Sequence, residues 1–122
     1  MPTRGIRGAI TVEANSRDAI LDAARELLSV MLKANEIDVD DVASAFFTTT
    51  PDLNAEFPAL AAREMGWNNV ALLCVHEMNV PGSLPMCLRV LLLVNTDKPA
   101  RDIRHAYLRE ARVLRPEFQN PA

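Results

Sequence analysis

The chain has 122 residues, 49% of them apolar and 24% charged, the balance of one soluble globular domain able to bury a real core. A net charge of −3 without any clustered basic run argues against a nucleic-acid partner, because neutralising phosphates needs concentrated positive charge. The start, Met1 to Arg7, lacks the apolar core of a signal peptide, and the most apolar run, Leu88 to Val94, is far too short to span a membrane.

The first predicted element is a strand over Gly5 to Val12, β-branched toward its end and containing Gly8. Asn15 or Ser16 then caps a helix, with Asp18 in its first turn. Ile20, Leu21, Ala24, Leu27, Leu28, Met31 and Leu32 follow at helical spacing and form one apolar stripe, ending near Asn35. Asp38 to Val42 reads as a further helical turn and Ala43 to Thr49 as a strand. Pro58 at the start and Gly66 past the end bracket a second, shorter helix. Val70 to Val75 and Leu88 to Val94 are strands, and Pro81, Gly82 and Pro85 mark the loop between them. Farther on, Asp102 to Tyr107 is expected as a short helix and Leu108 to Leu114 as a strand. About five strands and two main helices, not strictly alternating, specify an α+β domain.

Several residues sit oddly in this frame. Eleven arginines stand against two lysines, and arginine presents a planar fork of donors suited to carboxylate or phosphate. Alternation along a strand puts Arg89 on one face with Leu91 and Leu93, opposite Leu88, Val90 and Leu92. A guanidinium there either snorkels at a strand end or is held for an anionic ligand. Glu77, just past an apolar strand, is a solvated strand end, a partner for Arg89, or an acceptor for a ligand hydroxyl. Cys74, three residues earlier, belongs on the opposite face, so both serve one site only if the strand bulges or ends near His76. Arg7 lies between Gly5 and Gly8, which permit a tight turn or a close approach, but the lysine and spacing of a P-loop are missing. Arg63, beside Glu64, reads as a surface residue of the short helix. Cys74 and Cys87 form no CxxC or Cys/His pattern, so they are expected to be free thiols in a reducing cytosol. His76 and His105 stand apart from any nucleophile at a readable spacing, which disfavours covalent or metal-dependent chemistry.

The blocks Arg4-Gly5-Ile6-Arg7-Gly8-Ala9, Thr11-Val12-Glu13, Thr50-Pro51-Asp52-Leu53, Phe57-Pro58-Ala59, Glu77-Met78, Cys87-Leu88-Arg89-Val90, Ile103-Arg104-His105-Ala106-Tyr107-Leu108 and Val113-Leu114-Arg115-Pro116 occur in that order. Together they cover nearly the whole chain. The set resembles the small monofunctional chorismate mutases of the trimeric α+β class, which convert chorismate to prephenate by a pericyclic [3,3] rearrangement without a cofactor, metal or covalent intermediate.

The resemblance implies a single domain over residues 1–122, with 116–122 a flexible tail able to close over the site. It also implies a mixed sheet of about five strands carrying one long and one short helix on one face. Three such subunits would surround a barrel-like core, with active sites at the subunit interfaces. By the same resemblance Arg89 meets the ether oxygen and a carboxylate, and Arg7 and Tyr107 each meet a carboxylate. Glu77 and Cys74 meet the ring hydroxyl, Phe57 walls the pocket, and Arg63, Leu114 and Arg115 complete its edge. One departure is Leu60, where the family pattern carries a lysine at the pocket entrance. Competing readings are a trimer of similar architecture that binds a small carboxylate, like the RidA-like enamine/imine deaminases whose motifs are not found here, or a non-catalytic binding module.

Overall fold

A computed structural model describes residues 1–117. Its longest element is helix α1, Arg17–Asn35, whose apolar stripe faces inward: Ile20, Leu21, Ala24, Leu27, Leu28 and Met31 are buried and Leu32 is partly buried. Ser16 is the N-cap, its hydroxyl accepting the Ala19 N–H at 3.1 Å. Asn15, the other candidate cap, instead accepts the N–H groups of Asn54 and Ala55. The helix ends as Glu36 takes a left-handed conformation, φ 54°, and the N–H of Ile37 returns to the Leu32 carbonyl.

Five strands form one mixed sheet: β1 Thr3–Thr11, β2 Val42–Thr49, β3 Ala71–His76, β4 Cys87–Asn95 and β5 Ala106–Leu108. Their spatial order is β3-β2-β4-β1-β5. The central strand β4 runs antiparallel to β1 and β2, while the outer pairs β2–β3 and β1–β5 are parallel. α1 lies on one face, over Ile6, Ile10, Ala45, Phe47, Leu88, Leu92 and Val94, all buried. Gly8 allows this contact, because a Cβ there would fall 2.4 Å from the Met31 sulfur. Gly8 therefore serves a strand packed under a helix, whereas Gly5 lies on the other face beside Leu91 and Leu93, and the segment is a regular strand and not a phosphate-cradling loop. A short helix α2, Ala59–Glu64, packs beside α1 and buries Ala59, Ala61 and Ala62.

The opposite face is largely open. Arg89 and Leu93 are half-buried there, and Leu91, Leu73 and Val75 are exposed. Among the described residues, one end of this face is covered, by a 3-10 turn over Arg109–Leu114 whose Ala111 packs with Ala9, Cys87 and Tyr107.

The expected elements hold through β4, and the next segment corrects two of them. Asp102–Tyr107 is not a helix: a 3-10 turn over Ala100–Asp102 precedes β5. Leu108–Leu114 is not a strand. Arg109 takes φ 55° and turns the chain out of the sheet, its guanidinium donating to the Thr11 carbonyl at 3.0 Å and to Glu26 at 2.9 Å. A strand would put Ala111 and Val113 on the same face, yet Ala111 is buried and Val113 is 68% exposed. The three-residue spacing of Leu108, Ala111 and Leu114 is that of a 3-10 turn. The expected C-terminal tail falls mostly on 118–122, outside the described residues.

Candidate active site

The open sheet face carries a cleft of about 560 Å³ lined by Arg7, Phe46, Thr48, Glu77, Arg89, Tyr107, Leu114 and Arg115 with neighbouring backbone. Strand register explains the convergence. Arg89 is paired with Ala9 on one side and Thr48 on the other, and Ala9 is paired in turn with Tyr107. Cross-strand partners point to the same face, so Arg89, Thr48 and Tyr107 rise from the sheet together.

Glu77 reaches this group from just past β3. Its N–H donates to the Thr49 carbonyl at 3.2 Å, and its Oε1 accepts the Thr48 hydroxyl at 2.8 Å. The same Oε1 lies 3.2 Å from Arg89 Nε, an ion pair by distance. The N–H is not aligned on it, and Arg89 Nε is a buried donor with no hydrogen-bond partner among the described residues. A buried donor without an aligned acceptor costs stability and is uncommon outside functional sites.

The far end of the loop between β3 and β4 is pinned by residues just past β2. Thr50 Oγ accepts the Cys87 N–H at 3.0 Å, and the Asp52 carboxylate accepts the Met86 N–H at 2.9 Å. Met86, with φ 53°, needs that restraint. Neither Thr50 nor Asp52 was singled out as functional from sequence. Hydroxyl and carboxylate either side of Pro51 were the available signal, a turn-forming pattern. Burial raises the pKa of the Cys87 thiol, against the pull of the neighbouring Arg89.

Phe57 and Cys74 lie elsewhere. They line a second cleft of about 470 Å³ with Thr49, Pro51, Pro58 and His76. Cys74 is paired with the buried Phe47, so it faces the helix side while Val75 faces the open side. β3 ends at His76 without a bulge, and within one chain Cys74 and Glu77 do not meet in one pocket. Burial raises the Cys74 thiol's pKa, moderated by the Ala59 backbone and the positive charge of Arg63. Arg63 acts on Cys74 through its charge and is not among the residues that line the cleft. Leu60 packs against the main core. Among the described residues, no group of three or more His, Cys, Asp or Glu side chains could hold a metal ion.

A family model for chorismate mutase type I matches residues 3–118. The chain belongs to the type I chorismate mutase family. It is 53% identical over 118 residues to chorismate mutase AroH of Thermus thermophilus, covering 96% of this chain and 97% of that relative. It is 45% identical over 119 residues to chorismate mutase AroH of Bacillus subtilis, covering 97% and 94%. The fold matches a solved chorismate mutase from Clostridium thermocellum with a TM-score of 0.88 at 50% identity, covering 89% of this chain and 97% of that one. Nothing in these relationships supports the deaminase-like alternative. The family explains why the site lacks an acid–base or nucleophilic constellation: an intramolecular [3,3] rearrangement needs a held conformation and stabilised charge.

Proposed function

We propose that this chain catalyses the rearrangement of chorismate to prephenate, with the Arg89 cleft as the reacting half of its site. The observation that carries the reading is the buried Nε of Arg89, ion-paired with Glu77 but without a hydrogen-bond partner among the described residues, in a cleft also lined by Arg7 and Arg115. In the reaction the ether C–O bond breaks as a C–C bond forms, and negative charge grows on the ether oxygen. Arg89 supplies donors to that oxygen and to a carboxylate, while Arg7 and Tyr107 take up the carboxylates of the dianion. A guanidinium already in place stabilises the growing charge without reorganising. Glu77, oriented by Thr48, accepts from the ring hydroxyl. No proton, electron or group is transferred to the protein.

The two clefts suggest how the site is completed. We place Phe57, Cys74 and Arg63 of one subunit against the Arg89 cleft of a neighbour in a homotrimer. Cys74 is protonated at neutral pH, since burial raises its pKa, and is suited to hydrogen-bond the ring hydroxyl. Phe57, 66% exposed in the isolated chain, then walls a substrate. The face that carries the cleft also exposes Leu73, Val75 and Leu91, an apolar surface fit for burial between subunits. No helix among the described residues is long and apolar enough to cross a membrane. The free thiols of Cys74 and Cys87 suit the reducing cytoplasm.

The test is to add purified protein to chorismate and follow the loss of its absorbance. Acceleration over buffer is expected; a rate equal to the uncatalysed one sinks the assignment.

A further inference from the structure

Arg7 lies one residue before the β1–β5 pairing begins, at Gly8 opposite Ala106, so no β5 residue faces it across the ladder. Its backbone N–H finds an acceptor all the same: Nδ1 of His105, 2.9 Å away. The imidazole takes the place of the carbonyl that a longer β5 would offer. His105 is itself set firmly. The side-chain amide of the fully buried Asn35 brackets the preceding residue, its Nδ2 donating to the Arg104 carbonyl at 2.9 Å and its Oδ1 accepting the Arg104 N–H at 2.7 Å. The end of α1, the approach to β5 and the backbone of Arg7 thus form one hydrogen-bonded chain.

We propose that His105 is a positioning residue, whose Nδ1 fixes the backbone of Arg7 and so holds its guanidinium where a substrate carboxylate docks. The inference rests on the carboxylate role given to Arg7 above. Nδ1 accepts only when the ring is neutral with its proton on Nε2. The surroundings favour that form: partial burial, then the positive charges of Arg7 and Arg115, hold the imidazole pKa below its usual value. Glu117 is drawn to Arg115 and lies within the field of both arginines. A residue that merely plugs the strand end would need no acceptor atom.

Four variants separate these roles: His105→Asn, which keeps an acceptor near the Nδ1 position, His105→Phe, which fills the space without one, Arg7→Ala, and the double variant Arg7→Ala/His105→Phe. His105→Phe is expected to raise KM for chorismate roughly five- to tenfold, the scale of one neutral hydrogen bond, with kcat less affected. His105→Asn should stay within about twofold of the parent, a change small beside one hydrogen bond. In the Arg7→Ala background, His105→Phe should add nothing to KM, because the residue it positions is gone. An equal added factor in that background, or an unchanged KM in His105→Phe while Arg7→Ala raises it, overturns the inference. An unchanged KM in Arg7→Ala instead removes the carboxylate role of Arg7. Should His105→Phe fail to fold, the unaltered protein still decides. A scalar coupling across the hydrogen bond from the Arg7 amide to a neutral His105 Nδ1 is expected by NMR, and its absence refutes the positioning contact.

Discussion

A guanidinium set into a strand of leucines and valines is costly unless something answers its charge. In β4 the alternation of side chains resolves the conflict, turning Arg89 away from the core and toward Glu77. Replacing Arg89 by Ala should lower kcat roughly 10²–10³-fold, as for a lost donor to developing oxyanion charge, while the fold survives because the side chain is outside the core. Steady-state kinetics beside a thermal melt check both halves of that statement. Glu77→Ala removes an acceptor for the ring hydroxyl and leaves Arg89 without its ion partner. A loss in kcat/KM of roughly 10- to 10²-fold is expected, the range for hydrogen bonds to charged groups, and a negligible change counts against the contact. His105 adds a pH dependence. Its folded pKa is lowered, so below an unfolded value of about 6.5 the unfolded chain binds the proton more readily. The stability it contributes is full above that pH and is lost as pH falls toward the folded value. Denaturant midpoints measured across this window should fall less steeply for His105→Asn than for the parent.

At the scale of elements, α1 and β1 are adjusted to each other by an absent side chain. Gly8 lets the helix sit close, and a methyl group there meets the sulfur of Met31 and a methyl of Leu27. Gly8→Ala should therefore destabilise the protein by about 1–3 kcal/mol, the usual cost of overpacking, read from chemical denaturation. The flexible thioether of Met31 keeps that figure from being larger. The apolar stripe and a capping residue at Asn15 or Ser16 made α1 plain in the sequence, because local periodicity and capping depend on near neighbours alone. β5 and the 3-10 turn after it were not legible for the opposite reason. Three residues pair with β1 and then Arg109 leaves the sheet, held by contacts to Thr11 and Glu26 some 80 to 100 positions away in sequence. No local pattern encodes such partners.

At the scale of the molecule, the sheet is covered by helices on one side and exposes Leu73, Val75 and Leu91 on the other. In the proposed trimer that face is buried and the second cleft completes the first. Light scattering should give three times the 13.5-kDa chain mass. Leu91→Glu, placing a charge on the half-open face without touching the core, should yield a smaller species with little mutase activity. A monomeric parent enzyme with full activity contradicts the assembly and its shared sites.

Composition, helical periodicity and the ordered blocks from Arg4 to Pro116 were enough to establish the α+β class, the main helix, four of the five strands and the family, because those signals are carried by neighbouring residues or by order along the chain. They also marked Arg89, whose charge conflicts with its apolar strand, and Glu77, which closes an apolar run. The grouping of residues needed the folded chain. Register across β4, β1 and β5 brings Arg7, Arg89 and Tyr107 to one cleft, Glu77 joins them from just past β3, and the β2–β3 register turns Cys74 to another cleft with Phe57. Asn35 and His105, unremarkable as letters, become the link between α1 and Arg7. A backbone group left unpaired by a short strand takes whatever acceptor the tertiary structure puts within reach, and only the packing of distant segments decides which residue that is.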